Sequence, residues 1–147
     1  IVRTLANFTA VHSRLKVIKS EYTILDDTYN ANPDSTKSAL NTLANMNTMG
    51  KKIFVFGDML ELGEKSANYH REIGKYASKN NIDIIFTYGN FSQNTSDTAT
   101  ELGIYSKHFS TKDALAQSLK DEVQKNDIIL IKGSRGNKME DIVEEVI

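Results

Sequence analysis

Three clusters of polar residues, each after an apolar run, are the parts of this sequence that can do chemistry. The first cluster is DDTYNANPDS at 26–35, which follows Ile24 and Leu25. Its carboxylates, amides and hydroxyls offer more hydrogen-bonding groups than a helix cap requires, which favours binding of a polar ligand. The alternative is an Asx-rich turn that only caps the helix beginning near Pro33.

The second cluster is GDMLELGEKS at 57–66, where two glycines bracket Asp58 and Glu61. Carboxylate oxygens are ligands that a divalent cation prefers. Two carboxylates three residues apart in a loop are nevertheless weak evidence for a cation site.

The third cluster is KGSRG at 132–136, directly after the apolar run at 128–131. Lys132, Ser134 and Arg135, with backbone N–H groups near the start of the last helix, can hold a carboxylate or a phosphate. The alternative is a solvated basic turn whose glycines adopt positive φ. Cationic side chains placed directly after a buried strand favour anion binding over that alternative.

The elements that position these clusters are predicted from the period of the apolar residues. Alternating or short, fully apolar runs predict strands, whereas apolar residues spaced three and four apart predict helices. The predicted strands are 14–19, 22–27, 53–57, 82–89, 104–109 and 128–132, and the predicted helices begin near residues 34, 66, 94, 111 and 139. This alternation predicts an α/β fold: a Rossmann-like, mostly parallel open sheet with helices on both faces and with an edge hairpin or an antiparallel strand at its N-terminal end.

Such a sheet brings the three clusters together, because the carboxyl ends of parallel strands meet at one edge. Arg14, at the start of the first strand, is expected within reach of Asp26 and Asp27. A structural ion pair and a phosphate contact suit this arginine equally well. Residues 1–13 have no clear period and are predicted to be a connecting segment, in which Leu5 and Phe8 could form a short helical turn.

Length and composition exclude several classes of protein. The 147 residues are the usual size of one domain, and a net charge of −1 gives no reason to expect a nucleic acid partner. Without cysteine the chain has no disulfide and no thiol nucleophile. The longest apolar runs are too short to cross a bilayer, so no membrane insertion is expected. The chain begins at Ile1 rather than Met, which predicts that it is part of a longer protein.

Motifs of known catalytic sites do not occur in this sequence. It has neither a GxxxxGK[ST] phosphate loop nor GxGxxG after a strand, and it has no GxSxG turn. No two histidines have the spacing of metal ligands. The sequence therefore predicts a ligand-binding rim, with no catalytic acid, base or nucleophile and no metal ligands that can be identified.

The same three clusters carry a resemblance to a known family. DDTYNANPDS, GDMLELGEKSANYH and KGSRGNKME, in this order and spacing, resemble the carboxyl-terminal domain of the Mur ligases. Within that family they are most similar to the branch that adds D-alanyl-D-alanine to UDP-N-acetylmuramoyl-tripeptide. The resemblance covers about residues 5–147.

The resemblance implies an ATP-dependent amide ligase of cytoplasmic peptidoglycan synthesis that works through an acyl phosphate. It implies that ATP and Mg²⁺ are bound mainly by upstream N-terminal and central domains, and that these domains are the partners of this one. Residues 1–13 would be the linker from the central ATPase domain, and 14–147 the dipeptide-binding domain of a monomeric enzyme. The fragment is expected to be inactive alone. A sister ligase that adds another amino acid and a non-catalytic Rossmann-like binding module are the alternatives.

The resemblance also implies roles for single residues. Arg14 and Asp27 match positions that contact the nucleotide. Tyr29, Asn30 and Asn32 are expected to hold the dipeptide or the muramoyl peptide. The candidates for a free carboxylate are Lys132, Ser134 and Arg135. Asp58, Glu61 and His70 belong to the second motif without an assigned role, and fixing the loop between strand and helix is a structural alternative for all three.

Overall fold

Seven strands form one sheet in the computed structural model, which describes residues 4–7 and 15–147. The strands are β1 (Thr4–Asn7), β2 (Lys16–Lys19), β3 (Thr23–Asp27), β4 (Lys52–Phe56), β5 (Ile84–Tyr88), β6 (Tyr105–Phe109) and β7 (Ile128–Lys132). The helices are α1 (Pro33–Asn45), α2 (Ser66–Ser78), α3 (Gln93–Glu101), α4 (Lys112–Glu122) and α5 (Glu140–Val146), with 3-10 turns at Gly63–Lys65 and Arg135–Asn137.

The strand order is β1-β2-β3-β7-β4-β5-β6. Strands β3, β7, β4, β5 and β6 run parallel, whereas β1 and β2 pair antiparallel at the N-terminal edge. The predicted fold class, a mostly parallel α/β sheet with an N-terminal hairpin, is confirmed.

Strand β1 is the element that the sequence did not predict. Leu5 lies in β1 and pairs with Ile18, so the helical turn expected at Leu5 is wrong. A four-residue strand is too short to show a period of its own, and its backbone pairs with the free edge of β2 instead. Phe8, the other residue of the expected turn, lies outside the described residues, and so does the expected domain boundary at Arg14.

Two apolar clusters, one on each face of the sheet, form the core. Phe54 and Phe56 of β4 belong to the cluster that contains the inner residues of α1, α2 and α3. Ile53 and Val55 belong to the cluster of α4 and α5. Because both faces are covered, β4 and β7 are continuous apolar runs rather than alternating ones. The expected placement of helices on both faces is confirmed.

The chain reverses direction across the sheet at β7, and this reversal positions the site. Strands β4, β5 and β6 are added outward in order, and β7 then returns to lie between β3 and β4. The loops that follow β3, β4 and β7 are therefore neighbours at the carboxyl edge, where open α/β sheets bind ligands. We call the loops at 28–32, 57–65, 89–92 and 133–139 the carboxyl rim. The described part of the chain contains no helix long and apolar enough to cross a membrane.

Candidate functional site

The loop after β3 divides its polar residues between the helix and the solvent. The side chain of Asn32 accepts a hydrogen bond from the Ser35 backbone N–H at 2.8 Å, and the Ser35 hydroxyl accepts one from the Asn32 N–H at 3.1 Å. This reciprocal capping box, with Pro33 in the first turn, begins α1. Asn32 thus has the capping role that was the alternative for this cluster. Tyr29 and Asn30 are exposed on the rim.

An ion pair between a buried lysine and a partly exposed aspartate joins the ends of β3 and β7. The parallel register sets Asp27 opposite Lys132, and the Lys132 ammonium lies 2.8 Å from Oδ2 of Asp27. The same ammonium donates to the carbonyl of Asn30 at 2.9 Å. The Lys132 side chain is only 2% exposed and that of Asp27 is 14% exposed. The ammonium is therefore held by the loop after β3 rather than presented to solvent.

Ser134 ties three loops of the rim together. Its hydroxyl accepts a hydrogen bond from the Leu60 N–H at 2.9 Å and donates one to the Ala31 carbonyl at 3.2 Å. Its own N–H donates to the carbonyl of Asp58 at 3.0 Å. Ser134 is buried, and its hydroxyl proton already has an acceptor. In this arrangement it braces the loops after β3, β4 and β7.

Asp58 anchors the loop after β5. Its Oδ2 accepts from the Asn90 N–H at 2.7 Å, and its Oδ1 accepts from the N–H groups of Phe91 and Ser92 at 2.9 and 2.8 Å. Gly89 has φ +124°, and a Cβ atom there would lie 2.4 Å from the Asp58 carboxylate, so the turn requires glycine. Both carboxylate oxygens are occupied by backbone donors, which leaves Asp58 unsuited to a metal ion.

The side chain of His70, which lies in α2, supports the loop after β4. Its Nδ1 lies 2.7 Å from the Ser66 carbonyl, and its Nε2 accepts from the Met59 N–H at 3.0 Å. This pair of contacts requires the neutral tautomer with the proton on Nδ1. Burial lowers the pKa of His70, partly offset by the Ser66 carbonyl and the charge of Asp58. Glu61 is exposed and has a φ of +63°. Within the second motif, the hydrogen bonds that fix the loops are made by Asp58 and His70.

Arg135 is the predicted anion-binding residue that solvent can reach. Its side chain is 56% exposed, and its guanidinium pairs with Glu140 at 3.0 Å. A solvent-exposed ion pair of this kind contributes little free energy, so the guanidinium can exchange partners. Lys132 and Ser134 are buried, so Arg135 is the exposed side chain among the three residues predicted to bind an anion.

Sequence reasoning missed two parts of this rim. The loop at 89–92 after β5 supplies the N–H groups that hold Asp58, and its signal was Gly89-Asn90 directly after a buried strand. Asn137 donates from its amide to the Asp58 carbonyl at 2.8 Å, and no pattern in the sequence indicates that contact.

A groove of about 530 Å³ lies between the start of α1 and the loop after β4. It is lined by Asn32, Pro33, Asp34, Ser35, Leu62 and Tyr69. Its volume is in the range of small-molecule sites. No group of three histidine or acidic side chains within 15–147 has the arrangement of a metal site. Arg14, expected to contact a nucleotide, lies outside the described residues.

Comparison with protein families gives one match over most of the chain. The family model described as "Mur ligase, glutamate ligase domain" matches residues 13–135.

Relatives with a stated activity cover the chain almost completely. A UDP-N-acetylmuramoyl-tripeptide–D-alanyl-D-alanine ligase of Bacillus subtilis is 39% identical over 140 residues, which are 91% of this chain and 30% of that protein. The Escherichia coli protein of the same name is 39% identical over 143 residues, 95% of this chain and 30% of its own length. The chain thus spans about 30% of the length of the relatives it matches.

Solved structures give the same result. A MurF structure from Acinetobacter baumannii matches with a TM-score of 0.78 and 29% identity, over 94% of this chain and 30% of that one. MurF ligase from Thermotoga maritima, solved in complex with ADP, matches with a TM-score of 0.73 and 30% identity, over 96% of this chain and 32% of that one.

Proposed function

Since the chain belongs to the Mur ligase family, we propose that it is the carboxyl-terminal domain of an ATP-dependent ligase that joins D-alanyl-D-alanine to UDP-N-acetylmuramoyl-tripeptide. One observation carries the proposal: the three motifs of the family resemblance follow β3, β4 and β7, which are neighbours where the sheet reverses. The family resemblance drawn from those motifs is confirmed, because the family model matches residues 13–135. The names of the 39% identical relatives support the choice of dipeptide.

The reaction has two steps. The carboxylate of the tripeptide attacks the γ-phosphorus of ATP, which gives an acyl phosphate and ADP. The amine of D-alanyl-D-alanine then attacks the acyl carbon, and the tetrahedral intermediate expels phosphate and loses a proton to form the amide. Among residues 15–147 we assign no acid, base or nucleophile to these steps. The domain binds and orients the reactants, which contributes through proximity.

Nucleotide contacts are proposed for Asp27 and Arg14. The carboxylate of Asp27 is 14% exposed at the end of β3, where it can accept a ribose hydroxyl. The guanidinium of Arg14 can pair with a phosphate.

The dipeptide and the muramoyl peptide are proposed to bind along the loop after β3 and the turn after β7. Tyr29 and Asn30 offer exposed side chains there, and Asn32 lines the adjacent groove while it caps α1. Arg135 is proposed to hold the free carboxylate of the dipeptide. Ser134 supports that turn from behind through its contacts with neighbouring loops.

Magnesium is expected with ATP, and the described residues do not fit it. Mg²⁺ requires several oxygen ligands in octahedral geometry. The oxygens of Asp58 are taken by backbone N–H groups, and no three acidic or histidine side chains within 15–147 form a metal site. We assign the ion to the remainder of the ligase, a monomeric cytoplasmic enzyme whose N-terminal and central domains complete the active site. No ATP hydrolysis is expected from these 147 residues alone.

The test is phosphate release by the full-length ligase with UDP-N-acetylmuramoyl-tripeptide and ATP. Release that depends on D-alanyl-D-alanine, with the amide product identified by mass spectrometry, is the expected result. Amide formation with a single amino acid but not with the dipeptide would assign a sister ligase. If full-length protein bound ATP or dipeptide without turnover, it would be a binding module. The 147-residue chain alone serves as the blank.

A further inference from the structure

Lys132 is a charged residue at a buried position of β7, where the preceding residues of the strand are apolar. The four residues before it in β7, IILI, are buried in the two core clusters. Ile128 and Leu130 face the α1 side, and the alternation of a strand sets Lys132 on that side as well. Lysine is almost never this buried unless its charge is paired. A lysine at this position therefore points to a task for its ammonium.

That ammonium grips the loop after β3 at two points. It contacts the Asp27 carboxylate at 2.8 Å and the Asn30 carbonyl at 2.9 Å, and these two residues bracket the first turn of the loop. Fixing both points sets the direction in which the loop leaves β3. The ion pair also takes Oδ2 of Asp27, leaves Oδ1 outside the pair, and prevents free rotation of the carboxylate.

We propose that Lys132 is a positioning residue that orients the Asp27 carboxylate toward the nucleotide without itself touching a ligand. The inference rests on the proposed function, in which Asp27 meets the nucleotide. It differs from the expectation that Lys132 holds a substrate carboxylate, because an ammonium that is 2% exposed cannot be reached from the rim.

The positive charge of Lys132 has a second effect on nucleotide binding. Asp27 is an anion at a rim that is to receive the phosphates of ATP. Like charges in a partly desolvated site repel strongly, because the effective dielectric constant is low. The ammonium of Lys132 offsets the Asp27 charge from inside the fold, so the carboxylate can accept a hydroxyl without repelling the phosphates.

The test uses Lys132→Met, Asp27→Asn and the double variant in the full-length ligase. Lys132→Met is expected to raise the KM and the Kd for ATP about 10-fold, the effect of one charge-assisted hydrogen bond. The KM for D-alanyl-D-alanine should change less than about twofold. In the Asp27→Asn background, Lys132→Met should add less than about twofold to the ATP constants, because its effect passes through Asp27.

The matched control is Lys51→Met, which removes the lysine of the ion pair at the opposite end of β7. It should leave both constants unchanged, which separates positioning from a general loss of stability. Should Lys132→Met not fold by circular dichroism, Lys132→Gln keeps a donor for Asn30 and carries the same comparison.

Three outcomes would overturn the proposal. A rise in the dipeptide KM with unchanged ATP constants would mean that Lys132 holds the substrate carboxylate. Unchanged constants in a folded variant would make it structural only. A full effect of Lys132→Met in the Asp27→Asn background would mean that it acts without Asp27. The Kd for ATP, measured by calorimetry, stays readable if the wild-type enzyme makes a different amide, so failure of the proposed function is distinguishable.

Discussion

Strand β7 has a lysine–aspartate pair at each end, and the two pairs are built in opposite ways. At its start, Asp127 pairs with Lys51 at 2.9 Å, and the aspartate is the buried partner at 1% exposure against 28% for the lysine. At its end, Lys132 pairs with Asp27 at 2.8 Å, and the lysine is the buried partner at 2% against 14%.

The difference separates a structural ion pair from one that belongs to the proposed nucleotide site. Both oxygens of Asp127 also accept backbone N–H groups, from Lys51 at 2.7 Å and from Gln124 at 2.8 Å. That carboxylate joins segments of the chain, and because both of its oxygens already accept hydrogen bonds it is not available to a ligand. At the other end the cation is enclosed and the carboxylate faces the rim, so the pair presents an acceptor where ligands are expected to gather.

The largest expected effect comes from breaking the closed pair. Asp127→Ala deprives the backbone N–H groups of Lys51 and Gln124, and the Lys51 ammonium, of their acceptor, and we expect a loss of about 3 to 4 kcal/mol in the free energy of unfolding. Urea denaturation of the 147-residue chain, followed by circular dichroism, measures it. Lys51→Met keeps the backbone hydrogen bonds but leaves a carboxylate that is 1% exposed without its cation, and it should cost about 2 kcal/mol. Equal losses in the two variants would contradict the structural role assigned to the Asp127 carboxylate at the start of β7.

Breaking the open pair is expected to cost less. Lys132→Met leaves the Asp27 carboxylate without its cation, but water can reach that carboxylate at the rim. We expect a loss of about 2 to 3 kcal/mol, measured by the same denaturation. Adding Asp27→Asn should recover part of it, because no uncompensated charge remains. A loss larger than that of Asp127→Ala, or no recovery in the double variant, would show that the two ends do not differ as described.

A fall in pH should destabilise the carboxyl edge of the sheet before the opposite edge, where β7 begins. Burial lowers the pKa of both His70 and His108, so the unfolded chain binds more protons than the folded one as the pH falls below about 6.5. Stability is therefore fully present above about pH 6.5 and decreases toward each folded-state pKa, by at most about 1.4 kcal/mol per pH unit for His70 and by less for the more exposed His108.

Amide hydrogen exchange resolves the two ends. The Met59 N–H donates to His70, whereas the Lys51 N–H donates to Asp127. The protection factor of Met59 should fall more than that of Lys51 between about pH 7.5 and 5.5. His70→Gln should reduce the pH dependence at Met59. An equal fall at both amides would indicate global unfolding rather than a local effect of His70.

The fold was predictable because its central strands have an unambiguous pattern. IFVF in β4 and IILI in β7 are short apolar runs, and such runs between helical segments indicate parallel strands buried on both faces. Strand β1 was missed because its four residues take their structure from the edge of β2 rather than from their own pattern. The rim location of all three polar clusters followed from the same parallel topology.

The direction of individual side chains was not predictable from composition. Lys132 and Arg135 are three residues apart in one basic cluster, yet one is enclosed and the other is exposed. Alternation along β7 carries a signal for Lys132, since Ile128 and Leu130 face the same side. Arg135 lies in a 3-10 turn beyond the strand, where that period no longer applies. Asn32 and Ser35 had a capping signature, which indicates helix capping as well as ligand binding.

The smallest expected effect on stability tests the exposed member of the basic cluster. Arg135→Ala removes a guanidinium that is 56% exposed and pairs only with Glu140 among the residues described, so the free energy of unfolding should change by less than about 0.5 kcal/mol. In the full-length ligase the same change should raise the KM for D-alanyl-D-alanine about 10-fold and leave the KM for ATP unchanged, because the dipeptide carboxylate loses a charge-assisted hydrogen bond. Glu140→Gln is the matched control, since it removes the partner's charge and keeps the arginine. An unchanged dipeptide KM in Arg135→Ala would reduce Arg135 to a solvated surface charge, and the open end of β7 would then bind nucleotide alone.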